Sequence, residues 1–192
     1  MGLFDAILGR RKVAGPAPDR LFAITTADVT LATEHSITSR GVAAIVFQPL
    51  GTGDFERIAG EMEAVLRGTG DETGSTIETH EDSFGYRWMI VRDPEIEDLA
   101  VGVNAVSDQL QIDGYAERIL CAVFSFQDSG GQPIHFIYNY KRGTWYPFVP
   151  AGDAAAQERA TETELRLKAM LAADLPIEPE LDRWFPLWGI PI

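Results

Sequence analysis

Two stretches of this chain are almost uninterruptedly apolar, and they limit the fold more than anything else in it. Val42-Ala43-Ala44-Ile45-Val46-Phe47 is ended by Pro49 and Gly51, and Ile119 to Phe126 is broken only by Ser125. A strand with one wetted face alternates apolar and polar residues, whereas one covered on both faces does not. Both segments are therefore read as internal strands, the second as central in its sheet.

The elements between them follow from periodicity. Phe55, Ile58, Met62, Val65 and Leu66 recur at helical spacing within residues 54–67, and Gly68 and Gly70 supply stop signals. Residues 76–80 and 84–92 read as a hairpin across Glu81-Asp82-Ser83, with Tyr86, Trp88 and Ile90 on one face. Asp93-Pro94-Glu95 opens the strongest helix, with Asp93 as N-cap and Pro94 at N1. Ile96, Leu99, Val103, Val106 and Leu110 form its apolar stripe, and Gly114 ends it.

Beyond the central strand, Asp128-Ser129-Gly130-Gly131 turns into residues 134–140, where Ile134, Phe136, Tyr138 and Tyr140 alternate with His135 and Asn139. Residues 145–149 add a short strand, and 154–171 read as a helix with Glu162–Arg166 and Glu164–Lys168 pairs. Residues 21–34, rich in threonine, fit helix and strand equally. The order predicts an α+β fold: a mostly antiparallel sheet of about five strands with helices packed against it. Its strand, helix, strand, strand, helix, strand portion fits a ferredoxin-like unit. Residues 1–18 form an N-terminal amphipathic helix and linker, and 19–192 one α+β domain with an irregular aromatic C-terminal tail.

Charge decides among partners. The formal net charge is −13, which repels phosphate backbones and disfavours non-specific nucleic-acid binding, so no nucleic-acid partner is expected. Residues 1–12 nevertheless carry +2, so the remainder carries −15. Cys121 is the one cysteine, and the chain has neither an apolar run long enough to span a bilayer nor a basic leader with a long apolar region. A reducing cytoplasm is the expected location.

Chemistry has no foothold in local spacing. His35, His80 and His135 lie far apart, and neither Glu34-His35-Ser36 nor His80-Glu81-Asp82 aims two groups at one atom. Gly51-Thr52-Gly53 and Gly68-Thr69-Gly70 lack the rest of a phosphate or dinucleotide loop. Cys121, flanked by Leu120, Ala122 and Val123, is a poor nucleophile. No catalytic residue, metal or cofactor is predicted; an enzyme requires His80, Asp82, His135 and Glu158 to be assembled from a distance.

Three surfaces are candidates for binding. Leu3, Phe4, Ile7 and Leu8 occupy one helix face, followed by Arg10, Arg11 and Lys12. Such a segment inserts into an anionic interface, each basic residue contributing about 1 kcal/mol, or packs on its own domain. Trp184, Phe185 and Trp188 fill a partner's pocket or fold back over the sheet, the latter favoured by the general burial of large apolar groups. Lys141, Arg142, Trp145 and Tyr146 meet an acidic segment or form internal cation–π packing, of which packing is favoured.

Gly2-Leu3-Phe4-Asp5-Ala6-Ile7-Leu8-Gly9-Arg10 opens the chain, and Leu21-Phe22-Ala23 and Phe84-Gly85-Tyr86 with Trp88 follow. Further along come residues 140–148, Asp174-Leu175-Pro176-Ile177-Glu178-Pro179-Glu180-Leu181 and Arg183-Trp184-Phe185-Pro186-Leu187-Trp188-Gly189. In these segments the chain resembles the bacterial PspA-associated protein family PspAB. The resemblance implies a place beside PspA-like coiled-coil proteins, which protect the inner membrane under envelope stress, and implies no catalytic residues. The expected function is a non-catalytic accessory protein that binds a PspA-like partner and docks weakly on anionic membrane. The alternative is a secretion-chaperone-like protein holding an extended client segment.

Overall fold

A computed structural model of the chain describes residues 18–152 and 157–192, with residues 18 and 65–73 described as backbone only. The expected amphipathic helix and linker up to residue 17 lie outside the described residues.

The two apolar runs form the middle of the sheet. β1 (Thr38–Phe47) and β4 (Ile119–Gln127) pair antiparallel at the centre of the order β2-β3-β1-β4-β5-β6. Outside them lie β2 (Thr76–Glu81), β3 (Arg87–Arg92), β5 (Pro133–Asn139) and β6 (Thr144–Phe148). Burial follows position: residues 42–47 of β1 are all buried, whereas the edge strand β2 buries only Ile77. The sheet is antiparallel throughout and has six strands, β6 completing it as the short addition read from residues 145–149.

α2 (Gly53–Thr73) links β1 to β2, and α3 (Ile96–Ile112) links β3 to β4, which gives the βαββαβ unit with β5 and β6 added beyond β4. Both helices pack on one face of the sheet together with α1 (Pro18–His35). The ambiguous threonine-rich stretch is thus a helix. Leu21, Ile24, Ala27 and Leu31 are fully buried along one side, and the Thr25 and Thr33 hydroxyls donate back to the carbonyls of Phe22 and Val29.

Two glycines are required where elements meet. Gly41 has φ +64, and a Cβ there would lie 3.0 Å from the Asp93 carbonyl oxygen. Gly102 lets α3 approach β3, since its Cβ would lie 3.1 Å from Val91 Cγ1.

Three sequence expectations are corrected. α2 continues through Gly68 and Gly70 and stops at Gly74, with φ +91; a glycine inside a helix costs about 1 kcal/mol and does not forbid it. The N-cap of α3 is Glu95, not Asp93. The Asp93 N–H donates to Gly41 O at 3.1 Å, which ties residue 93 to the sheet, while its carboxylate accepts from Glu95 N and Ser75 Oγ.

The third concerns residues 154–171. The helix, α4 (Thr161–Met170), starts later because β8 (Glu158–Arg159) pairs with β7 (Pro150–Ala151) ahead of it. Glu162 and Arg166 pair at 3.5 Å as expected, but Glu164 turns inward to Arg159 and the Val149 N–H. Lys168 turns instead to the Pro179 carbonyl and the ring of Trp184.

Candidate partner-binding surface

The turn between β5 and β6 is closed by the N–H groups of Arg142 and Gly143, both donating to Asn139 O, and Gly143 adopts φ +64. Successive strand residues then face opposite ways, so the cluster read from residues 141–146 is divided. Trp145 enters the helical layer, fully buried, with its ring centroid 5.6 Å from Phe124 and 5.1 Å from Tyr138. Its indole N–H donates to Arg20 O at 2.7 Å, pinning the start of α1 to β6. Tyr146 lies buried on the other face, and Lys141 is exposed.

Arg142 has an acidic partner within the chain. Its Nε donates to Glu178 Oε2 at 2.5 Å, Thr144 Oγ1 donates to the same oxygen at 3.0 Å, and Glu180 N donates to Oε1 at 3.2 Å. Burial works against a charged Glu178, but these three donors outweigh it and hold the carboxyl below its ordinary range. The backbone joins in, because Trp145 N donates to Pro176 O and Glu178 N to Trp145 O, covering part of the β6 edge.

The tail past Glu178 crosses the sheet face away from the helices. Trp184 is buried, stacks on Tyr146 at 6.2 Å and 21°, and donates its indole N–H to Glu178 O at 3.0 Å. Arg159 Nη1 donates to Trp184 O at 2.5 Å, while Arg159 also pairs with buried Glu164 at 2.9 Å. Trp188 meets Phe148 edge-on at 5.0 Å and 79°. Phe185 points outward, 59% exposed, although its carbonyl accepts from Tyr146 Oη.

Of the seven residues expected at a partner site, Lys141 and Phe185 are exposed, Arg142 and Trp188 are half-buried, and Trp145, Tyr146 and Trp184 are buried. Cation–π contacts do form here, but from Arg159 over Phe148 at 5.5 Å and Lys168 over Trp184 at 5.6 Å. Lys141 borders a depression of about 410 Å³ lined by Gln111, Ala116, Glu117, Ile119 and Tyr140. The Arg142–Glu178 and Arg159–Glu164 pairs escaped sequence reasoning. The one local signal was an acid set between two prolines in an apolar tail. Leu3, Phe4, Ile7, Leu8, Arg10, Arg11 and Lys12 lie outside the described residues.

Two of the groups that an enzyme would need to combine, His80 and His135, do not meet. His80 is on β2 and His135 on β5, four strand spacings apart, or about 19 Å. Asp82 is occupied by the Trp88 indole N–H and the amides of Phe84 and Tyr86. His135 Nδ1 lies 2.9 Å from Ser125 Oγ, and burial drives its pKa down to about 4. Burial pushes the Cys121 thiol up to about 12. Among the described residues no three His, Cys, Asp or Glu side chains gather as metal ligands, and no helix is long and apolar enough to cross a membrane.

The family model described as PspA associated protein B matches residues 1–192, the whole chain, and the chain belongs to that family. No curated protein and no solved structure matches it.

Proposed function

Starting from membership of a family described by its association with PspA, we propose that the chain is a non-catalytic accessory protein of a PspA-type envelope-stress system. The whole-chain family match is the observation that carries this reading. The body, residues 19–192, contacts a PspA-like coiled-coil protein through the surface where the β5–β6 turn meets the aromatic tail. Lys141, Arg142, Phe185 and Trp188 make the contact, and Trp145, Tyr146 and Trp184 hold them in place from below. That division follows from exposure: Lys141 and Phe185 present cationic and aromatic groups to solvent, while Trp145 and Trp184 spend their indole N–H groups inside the chain.

Residues 2–12 act separately, bringing the protein to anionic membrane through Leu3, Phe4, Ile7 and Leu8 and the basic triplet Arg10, Arg11 and Lys12. The attachment is weak and reversible. Capture of the tagged full chain from stressed cells containing or lacking the PspA-like protein tests the partner assignment; recovery of PspA is expected, and its absence from the captured material overturns it. Sedimentation with anionic liposomes tests the membrane role. The Leu3→Asp/Phe4→Asp variant is expected to pellet several-fold less, and equal pelleting excludes that role.

A further inference from the structure

Neighbouring strands of an antiparallel sheet run in opposite directions, so the order of elements decides what gathers at each end. The β2–β3 turn, the end of β1, the start of β4 and the β5–β6 turn share one end. α3 runs toward it on the way from β3 to β4. α1 begins there, because Arg20 O accepts the Trp145 indole N–H and Arg20 Nη1 donates to Gly143 O at 3.1 Å. The chain before residue 18 therefore joins the domain at this end.

The two most exposed large apolar side chains among the described residues stand at the same end. Ile112, 78% exposed, is the last residue of α3, and Phe84, 75% exposed, lies in the β2–β3 turn. Phe84 is held out on a fixed turn. Asp82 accepts the amides of Phe84 and Tyr86 and the Trp88 indole N–H on its carboxylate, Gly85 N donates to Asp82 O, and Gly85 takes φ +79. A ring fixed in this way loses little freedom when it is buried elsewhere. Phe84 and Ile112 belong to different layers, sheet and helix, and neither packs on the apolar clusters of the described residues. A protein pocket takes a contiguous patch, whereas a lipid interface takes separate side chains one by one.

Charge divides between the ends in the same sense. At the far end α3 starts with Glu95, Glu97 and Asp98, and burial, then Glu97 and Glu95, raise the Asp28 carboxyl above its ordinary range. At the Phe84 end the acids are offset: Arg87 pairs with Glu56 and Glu81, Gln109 donates to Asp113, and Lys141 borders the same depression as Glu117, with Arg118 next to it in the chain. An anionic surface repels the first end and tolerates the second.

We propose that the end of the domain carrying Phe84 and Ile112 is a lipid-facing surface, whose two side chains enter the interface of an anionic membrane while the acidic start of α3 points away. The inference rests on the membrane role proposed for residues 2–12 and adds an orientation to it. A terminal segment alone tethers the domain without orienting it. Once that segment has bound, Phe84 and Ile112 meet lipid at high effective concentration, and each added contact fixes the body against the surface.

The test uses full-length chains carrying Phe84→Cys, Ile112→Cys or Val101→Cys, labelled with a nitrobenzoxadiazole dye and mixed with vesicles of phosphatidylglycerol and phosphatidylethanolamine. All three positions are exposed, and Cys121, buried with its thiol pushed up to about 12, stays unmodified. Val101 is the control, lying about 16 Å further back along α3. Dyes at positions 84 and 112 are expected to brighten several-fold and to be quenched by nitroxide-bearing lipid, and the dye at 101 to stay unchanged. Phe84→Ser/Ile112→Ser is expected to bind vesicles about tenfold more weakly, the worth of partly burying two large apolar side chains. Wild type that pellets while the dyes at 84 and 112 do not respond, or respond no more than the dye at 101, overturns this inference and leaves residues 2–12 as the membrane contact. Wild type that fails to pellet overturns the membrane reading and this inference together.

Discussion

The carboxylate of Glu178 lies 2.5 Å from the Nε of Arg142, a residue 36 positions earlier, and this pair fixes the point at which the tail leaves α4 and crosses β6. Glu178 is only 2% exposed and Arg142 27% exposed, so the acid depends on its partner more than the base does.

Arg142→Ala is expected to cost about 2 kcal/mol. That is below the loss typical of a fully buried pair, because water reaches Arg142 in part, and urea unfolding measures it. The carboxyl of Glu178 titrates lower in the fold than in the unfolded chain. Its contribution is therefore present above the ordinary carboxylate value of about 4.3 and is lost as pH falls through the folded value. Glu178→Gln should flatten the stability profile in that acid range.

His135 acts at higher pH with the same sense. Burial first, then the nearby charge of Arg40, lowers its pKa from 6.5 to about 4. Between those values the unfolded chain binds the extra proton, so stability falls as pH drops from 6.5 to 4, by about 3 kcal/mol. His135→Gln removes this phase, and NMR of the His135 ring should show no titration above pH 5, a threshold about one unit over the folded value.

Gly41 and Gly85 separate two costs of adding a methyl group. Both have positive φ, +64 and +79, but only Gly41 faces a carbonyl oxygen 3.0 Å from its would-be Cβ. Gly85→Ala should cost about 1 kcal/mol from backbone strain alone, and Gly41→Ala clearly more, because Asp93 must move. Thermal unfolding of the two variants ranks them.

Much of the sheet was legible because its central strands state their position locally. Val42 to Phe47 and Ile119 to Phe126 could not be stable with a wetted face, and they form β1 and β4. α1 was obscured by Thr25, Thr26, Thr30 and Thr33, whose β-branching argues for strand, while its stripe includes the small residue Ala27. Glu164 looked like a surface partner of Lys168. Its inward turn depends on Arg159 and the Val149 amide, neither on its own helix. The division of residues 141–146 between two faces and the solvent follows from where β6 begins. The Arg142–Glu178 pair has no local pattern at all.

Trp184 and Phe185 are neighbours with opposite expected phenotypes. Trp184→Ala removes a stacked, hydrogen-bonded ring and should cost about 3 to 5 kcal/mol. Phe185→Ala, at a side chain 59% exposed, should leave the unfolding midpoint within about 0.5 kcal/mol of wild type and weaken only binding.

Surface plasmon resonance with purified PspA-like protein measures the proposed contact. Wild type should bind saturably, and the Lys141→Glu/Phe185→Ala variant, with unchanged melting, should bind at least about tenfold more weakly, as expected for loss of an aromatic anchor and a charge at one contact. Undetectable binding by wild type, or equal affinity for wild type and variant, would rule out a PspA contact at Lys141 and Phe185.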